Sequence, residues 1–169
     1  PDVLNFDVGA IILAPGFEEF DPRLKSMYGY GRYPNVVSSI EFERTLSASG
    51  PYGGRIMRPS DGTIPWRIAF VQCVGSRDAL VGNNYCSSAC CMYAIKESVI
   101  AVEHTPGVHC TIFFMDMRAF GKEFDAYYNR ATEEYKVRFV RSRVSSVHEN
   151  PETQNLMVRH VEEETPKDE

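Results

Sequence analysis

The sequence RIAFVQCVG at residues 67–75 decides the fold, because it has the pattern of a strand buried on both faces of a parallel sheet. A helical pattern follows over about 88–103, and a second apolar strand pattern covers 108–117. A helical pattern at 124–134 and an alternating strand pattern at 137–147 complete the series. The order βαβαβ predicts an α/β fold, a Rossmann-like parallel sheet with right-handed crossovers.

The sequence before this unit contains one further strand pattern and one helix. Residues 8–14 form a nearly continuous apolar run ended by a proline and a glycine, which predicts a buried strand. Ser38 and Glu41 have the spacing of a capping box, so a helix is expected to begin there and to end before Gly50. Turn-forming residues cluster at 55–66, which makes this stretch the predicted domain boundary.

These signals divide the chain into three parts. Residues 1–66 are expected to form a strand and a connector with one helix, and residues 67–150 the Rossmann-like domain. Residues 151–169 are expected to form a terminal hairpin strand and a frayed acidic tail. The hairpin is expected because the turn-rich residues 150–155 join the third strand pattern to a short one at 156–161.

The composition describes a globular protein and argues against several partners. With 169 residues, of which 43% are hydrophobic, the chain is long enough to bury at least one core. A net charge of -5 argues against nucleic acid, whose binders usually carry a basic patch. No apolar run approaches the ~20 residues of a membrane span, and signal-peptide features are absent. We therefore expect a cytoplasmic domain and, because Pro1 is no natural start, a piece of a longer chain.

Four of the five cysteines lie within residues 73–91, in the spacing C-x12-C-x3-C-C. In a reducing cytoplasm, clustered cysteines bind metal more often than they form disulfides. Cys73 ends the first strand pattern, whereas Cys86, Cys90 and Cys91 surround the start of the following helix. Because a βαβ unit brings these two places together, the four thiols are expected to converge at the carboxyl end of the sheet.

The kind of metal is indicated by the adjacent pair Cys90 and Cys91. A single zinc ion requires four sulfurs at ~2.3 Å, usually supplied by C-x2-C knuckles, and adjacent cysteines suit it poorly. A 4Fe-4S cluster spreads its irons over several ångströms, so neighbouring cysteines can bind different corners. The pattern favours the cluster, with a structural zinc site in an interaction domain and free redox-active thiols as alternatives. The backbone around the cluster is expected to come from Val74, Gly75, Ser88 and Ala89.

A nicotinamide-binding reductase domain is a third interpretation of the same topology. Asp116 ends the second strand pattern, where a dinucleotide-binding unit places the acid that holds the ribose. Such a unit also needs a glycine fingerprint after its first strand, and the cysteine loop replaces that fingerprint here. The nicotinamide interpretation is therefore the weaker one.

Two further residues stand beside this pattern. Cys110 lies alone in the second strand pattern and is expected to be a small buried hydrophobe. Arg77 lies beside the cysteine loop and is a candidate for tuning a cluster or docking a redox partner. The four histidines are scattered and follow no catalytic pattern, so surface or edge positions are expected for them.

Several strings of the sequence resemble the A subunits of heterodisulfide reductases and their relatives. The resemblance runs over most of the chain and is far more specific than a single motif. The strings are YGYGRYPNV at 28–36, Ser-Gly-Pro at 49–51, QCVGSRD at 72–78, YCSS at 85–88, CCMY at 90–93 and MDMRAFG at 115–121.

The resemblance implies a thioredoxin-reductase-like flavoprotein whose FAD domain is interrupted by ferredoxin-like modules. The second Rossmann-like domain of such a protein holds a 4Fe-4S cluster. This chain would be a middle slice, with part of the flavin domain in residues 1–66. The whole subunit would relay electrons among FAD, clusters and partner subunits that act on disulfides or ferredoxin, so the slice alone is not expected to turn over substrate. The matching cluster ligands are Cys73, Cys86, Cys90 and Cys91.

The resemblance also implies a flavin contact early in the chain. Residues 13–17 are similar to the turn that lies against the flavin in this family, with Pro15 in place of a threonine. The implied flavin-contacting residues are Leu13, Gly16 and Phe17.

Overall fold

The computed structural model describes residues 2–161 of the chain and shows a mixed α/β fold. Within that range it contains three α-helices and five strands, joined by loops and short 3-10 turns. The elements in chain order are α1 (Ser39–Leu46), β1 (Arg67–Val71), α2 (Cys90–His104), β2 (His109–Phe114), α3 (Phe124–Glu133), β3 (Arg138–Arg141), β4 (Val144–Glu149) and β5 (Leu156–His160).

Strands β1, β2 and β3 form a parallel sheet in that order, which confirms the predicted α/β fold and its βαβαβ topology. The register places Arg67 beside His109 and Thr111 beside Arg138. Because side chains alternate along each strand, the two faces of the sheet have different partners. The face that packs against the helices carries Ile68, Phe70, Cys110, Ile112 and Phe139.

The opposite face packs against an antiparallel hairpin formed by β4 and β5. Phe113 and Val140 of the sheet share a core cluster with Val144 and Val147 of the hairpin. This is the hairpin that the turn-rich residues 150–155 predicted, and it is confirmed. The result is three layers, with the parallel sheet between the helices and the hairpin.

Helix α2 supplies the apolar side chains that fix the helical layer. Ile95 of α2 and Ile112 of β2 are fully buried, and Val99 is nearly so. Burying one such side chain stabilises the fold by about 1.5–3 kcal/mol. Since α2 contacts α1, β2 and α3, this packing holds its first residues, Cys90 and Cys91, beside the sheet.

Helix α1 begins where the sequence predicted. The Ser38 hydroxyl accepts a hydrogen bond from the Glu41 amide, and the Glu41 carboxylate accepts one from the Ser38 amide. This completes the capping box. Phe42 of α1 contacts the ring of Phe70 edge-on, with centroids 5.7 Å apart. Helix α1 thus joins the helical layer, while the domain boundary placed before β1 stays a prediction.

The strand predicted for residues 8–14 is wrong. This stretch is irregular coil, in which Ile12 and Leu13 are 91% and 86% exposed. A buried strand needs a neighbour that satisfies its backbone hydrogen bonds, and no strand within residues 2–161 pairs with this segment. The apolar composition of this segment was therefore not enough to form a strand without a neighbouring strand to pair with.

The single strand predicted for 137–147 is also wrong, because Ser142 and Arg143 interrupt it and separate two strands, β3 and β4. The Ser142 amide donates to the Phe114 carbonyl at 3.0 Å, and the Ser142 hydroxyl donates to the Val161 carbonyl at 2.6 Å. These bonds hold the point where the chain leaves the parallel sheet for the hairpin. Apolar alternation continues across the break, so the period of the sequence did not reveal it.

Two remaining expectations concern the surroundings of the domain. Within residues 2–161, no helix combines the length and hydropathy that crossing a membrane would require. The acidic tail expected at residues 162–169 lies outside the described residues. The cytoplasmic location stays a prediction.

Candidate metal centre

One of the four clustered cysteines follows β1, and the other three lie just before or at the start of α2, as the sequence predicted. Strand β1 ends at Val71, and Cys73 lies just beyond it at the carboxyl end of the parallel sheet. Cys90 and Cys91 are the first two residues of α2, and Cys86 lies in the loop before it. Cys91 is buried, whereas the other three are half-buried.

The structure places these four cysteines in one region, after β1 and around the start of α2. The Cys90 and Cys91 side chains lie close enough to shift each other's pKa, and the backbone of Cys73 lies near enough to act on the Cys90 sulfur. Cys86 lies near enough for its charge to act on Cys73. Within residues 2–161 all cysteines are free thiols, and no three His, Cys, Asp or Glu side chains are arranged to hold a single metal ion. The four residues thus form a group of neighbouring thiols without a closed cage for one ion.

Backbone amides point at the sulfurs from two sides. The Ser88 amide donates to Cys86 Sγ and the Arg118 amide donates to Cys91 Sγ, each at 3.4 Å. The first amides of α2 have no side-chain cap, because Ala89 supplies no capping hydrogen bond. Hydrogen bonds to sulfur favour thiolates and tune iron-sulfur clusters. The donor set of four thiols with surrounding N–H groups therefore fits an iron-sulfur cluster.

Hydrogen bonds and burial separate the pKa values of the neighbouring cysteines. The pKa of Cys90 lies below its usual value, first because the Cys91 thiol donates a hydrogen bond to it. The pKa of Cys91 is raised by the same hydrogen bond and then by burial. Burial also raises the pKa of Cys73, with the charge of Cys90 adding to the effect. Among these three thiols, Cys90 is the one whose pKa is lowered.

Cys110 belongs to the core and not to this group. It is 2% exposed, and its thiol donates to the Ser98 carbonyl at 3.8 Å. Burial raises the pKa of Cys110 to about 12. The expectation of a small buried hydrophobe is confirmed.

A buried ion pair anchors the loop between Cys73 and Cys86. Lys25 and Asp78 are 6% and 4% exposed and form a salt bridge, and Arg143 lies 3.6 Å from the same carboxylate. Lys25 is the first cause of a pKa of Asp78 below its usual value. Sequence reasoning missed this pair, because a single lysine in a loop carries no signal of burial.

Asp78 also organises the loop internally. Its Oδ1 accepts a hydrogen bond from the Leu80 amide at 3.1 Å, and its backbone pairs with that of Asn83. The Asn83 side chain donates to the Gly75 carbonyl at 2.8 Å. These hydrogen bonds hold the loop against its first residues, which follow Cys73, and so limit where Cys86 can lie.

Gly75 allows this base to form, because its φ is +70° and a Cβ there would lie 2.2 Å from the ring of Phe20. Gly75→Ala is expected to lower the free energy of unfolding by about 2 kcal/mol, through left-handed strain plus the clash with this ring. Gly82→Ala is the matched control, since Gly82 has a φ of +79° and open space around it. We expect about 1 kcal/mol for the control, from strain alone. Urea unfolding compares the two variants, and equal losses would show that Phe20 moves aside freely.

The residues expected around the cluster lie between the cysteines. Gly75 is buried, Val74 and Ala89 are half-buried, and Ser88 is exposed with a φ of +60°. Ser88 is the one among them whose amide bonds a cysteine sulfur in the hydrogen bonds described above. Their contacts with a cluster stay a prediction.

The residues implied in flavin contact are not gathered into one site. Leu13 lies in solvent, whereas the Phe17 ring stacks on Tyr93 of α2 with centroids 5.7 Å apart. Gly16 lies between them with a φ of +75°. The structure therefore brings Phe17, but not Leu13, to the helix that begins with the cysteines. The flavin contacts stay a prediction.

Backbone groups after β2 complete the site, and sequence reasoning missed them. The backbone of Met115 lies near enough to lower the pKa of Cys73, and the amide of Arg118 donates a hydrogen bond to Cys91 Sγ. The carboxyl ends of β1 and β2 lie side by side in a parallel sheet, as the register shows. This shared edge is the signal that would have identified both groups.

Asp116 lies just after β2, at the position predicted for a ribose-binding acid. Its carboxylate pairs with Arg77 at 2.5 Å and with Arg141 at 3.5 Å. Arg77 is the first cause of a pKa of Asp116 below its usual value. A ribose hydroxyl would therefore compete with Arg77 for this carboxylate, and nicotinamide binding stays an untested alternative.

The fold and the thiols define a Rossmann-like domain whose ligand-binding end carries four cysteines in place of a glycine-rich nucleotide loop. No family model matches the sequence. Similar curated proteins are A subunits of heterodisulfide reductases. The chain belongs to this family of heterodisulfide reductase A subunits, which confirms the resemblance seen in the sequence.

Three relatives show the extent of the match. An iron-sulfur A subunit of CoB–CoM heterodisulfide reductase from Methanopyrus kandleri is 51% identical over 159 residues, which are 94% of this chain and 24% of that protein. The corresponding iron-sulfur protein from Methanocaldococcus jannaschii is 49% identical with the same coverage. The A subunit of the ferredoxin/F(420)H(2)-dependent CoB–CoM heterodisulfide reductase from Methanosarcina acetivorans is 42% identical over 97% of this chain and 21% of that protein. The chain thus spans about a quarter of the length of these relatives.

Proposed function

We propose that the chain holds a 4Fe-4S cluster and is the electron-transfer domain of a heterodisulfide-reductase-like, FAD-dependent oxidoreductase subunit. The proposal rests on the position of four cysteines after β1 and around the start of α2, with backbone amides that donate to the sulfurs of Cys86 and Cys91. The relatives from M. jannaschii and M. kandleri are named iron-sulfur subunits, which supports it. The proposed ligands are Cys73, Cys86, Cys90 and Cys91.

A bound cluster would supply one-electron transfer, for which the protein needs no acid, base or nucleophile. The chain's own residues hold and orient the thiols. Helix α2 fixes Cys90 and Cys91, and the loop anchored by Asp78 restricts Cys86. The amides of Ser88 and Arg118 stabilise negative charge on sulfur.

The remainder of the proposed subunit would supply FAD and ferredoxin-like modules. The proposed partners are the other subunits of a heterodisulfide-reductase-like complex. The name of the M. acetivorans relative includes ferredoxin, which supports a ferredoxin as one electron carrier. The stacking of Phe17 on Tyr93 brings the segment with Gly16 to the helix of the cysteines, which supports a flavin on that side.

Metal and sulfide analysis of anaerobically purified protein tests the cluster proposal. We expect about four irons and four acid-labile sulfides per chain, with a brown absorbance that dithionite bleaches. An EPR signal of the reduced protein should appear as the colour fades.

Two other results would support the alternatives instead. Stoichiometric zinc, with no iron taken up on anaerobic reconstitution, would contradict the cluster and favour a structural zinc site. Tight NADPH binding measured by calorimetry, again without iron, would favour the nicotinamide-binding interpretation.

A further inference from the structure

We infer that Arg77 and Asp116 form a charge pair whose members shift the reduction potential of the cluster in opposite directions, with effects that largely cancel while both are present. This inference rests on the proposed function and deepens it. Neither side chain is proposed as an iron ligand. Both act on the cluster only through the electric field of their charges.

The position of Arg77 is fixed by the cysteine loop. Arg77 lies between Cys73 and Cys86, and its amide donates to the Tyr85 carbonyl at 2.9 Å, one residue before Cys86. Its φ of +54° is unusual for a residue with a side chain. The Arg77 side chain is 29% exposed, so its guanidinium is partly withdrawn from water. A surface charge that serves only to dock a partner needs no such fixed backbone.

Asp116 places the other member of the pair next to Cys91. Its carboxylate Oδ2 lies 2.5 Å from Arg77 Nη1, and its own backbone carbonyl oxygen lies 3.8 Å from Cys91 Sγ. The Asp116 hydrogen bond is the first cause of a raised pKa of Arg77, and the charge of Cys73 adds to it. The pair therefore joins the loop between Cys73 and Cys86 to the end of β2, which contacts Cys91.

The sign of each effect follows from electrostatics. Reduction adds negative charge to the cluster, so a nearby cation raises the reduction potential and a nearby anion lowers it. While Arg77 and Asp116 are paired, their fields largely cancel at the cluster. Removing one member exposes the charge of the other, so the two single variants should shift the potential in opposite directions.

Arg141 offers a matched control on the same carboxylate. It lies 3.5 Å from Asp116 Oδ1 and is 67% exposed, so solvent screens its charge. Removing Arg141 leaves the shorter Arg77 contact intact. We therefore expect Arg141→Gln to lower the potential far less than Arg77→Gln does.

The test is an EPR-monitored redox titration of the full-length subunit with its clusters loaded. The signal of this site is identified as the one missing from Cys91→Ala. Arg77→Gln should shift its potential down and Asp116→Asn should shift it up, while the double variant should lie between them near the wild type. Arg77→Lys, which keeps the charge, should recover most of the potential lost in Arg77→Gln.

The outcomes separate the inference from the proposed function. A wild-type subunit without iron on these cysteines would contradict the proposed function itself. A wild-type subunit with the cluster, whose two single variants keep the same potential or shift in the same direction, would overturn the charge-pair inference alone. Shifts of opposite sign in the two single variants would confirm it.

Discussion

Cys91→Ala is expected to lose the cluster, whereas Cys110→Ala is expected to keep it. Both cysteines are almost fully buried, at 3% and 2% exposure, so the two substitutions are matched in environment. Only Cys91 lies beside Cys90 and accepts the Arg118 amide. Because a cubane cluster uses four thiolates, removal of one ligand should leave it labile. Iron should fall from about four per chain to well below one in Cys91→Ala.

The control variant isolates the ligand effect from a packing effect. Cys110→Ala creates a small cavity beside Ser98, which should cost about 1 kcal/mol of stability without changing the iron content. Iron and sulfide assays on anaerobic preparations measure the contrast, and far-ultraviolet circular dichroism checks that both variants fold. Full iron retention in Cys91→Ala, or equal losses in both variants, would contradict the proposed ligand set.

The position of the cysteines relative to β1 and α2 was predictable because it depends on topology alone. A strand that ends near Cys73 and a helix that begins near Cys90 must meet at one edge of a parallel sheet. The apolar runs and the capping box at Ser38 also predicted β1, α2 and α1 at nearly their observed positions. These signals are local in sequence, and tertiary packing did not override them.

The missed features depend on contacts between distant residues. Lys25 and Asp78 form a buried pair, but neither residue carries a local sign of its partner. The break at Ser142 depends on a hydrogen bond to the carbonyl of Phe114 in another strand. Residues 8–14 have a strand composition but no neighbouring strand within residues 2–161. The composition and hydrophobic period of a segment show that it could form a strand, but hydrogen bonding to a neighbouring strand decides whether it does.

A second large effect is expected at Glu97, a carboxyl buried in α2 at 1% exposure. One of its oxygens accepts a hydrogen bond from Ser39 at 3.1 Å, and the other has no hydrogen-bond partner in the described structure. Burial raises the pKa of Glu97 to about 7, against an ordinary value of 4.5. The Ser39 hydrogen bond acts in the opposite direction, and the charges nearby are Glu43, Lys96 and Glu19.

The raised pKa makes stability depend on pH with a definite sign. Below pH 4.5 the folded and unfolded chains both hold this proton, so Glu97 has no effect on the pH dependence. Between pH 4.5 and about 7 the unfolded chain has lost the proton while the folded chain keeps it, so stability falls as pH rises. Above that window the accumulated loss is constant, at about 3 kcal/mol.

Glu97→Gln is therefore expected to gain about 2.5 kcal/mol relative to the wild type between pH 5 and pH 8, because part of the total loss already occurs below pH 5. Glutamine fills the same space but cannot ionise, so any fixed cost of its unpaired amide is the same at both pH values and cancels in the comparison. Urea unfolding at the two pH values measures the gain. Glu103→Gln on the same helix is the control, because Glu103 is exposed and solvent screens its charge. A gain for Glu97→Gln no larger than that of the control would show that Glu97 is hydrated in the folded protein, and that α1 and α2 separate enough to admit water.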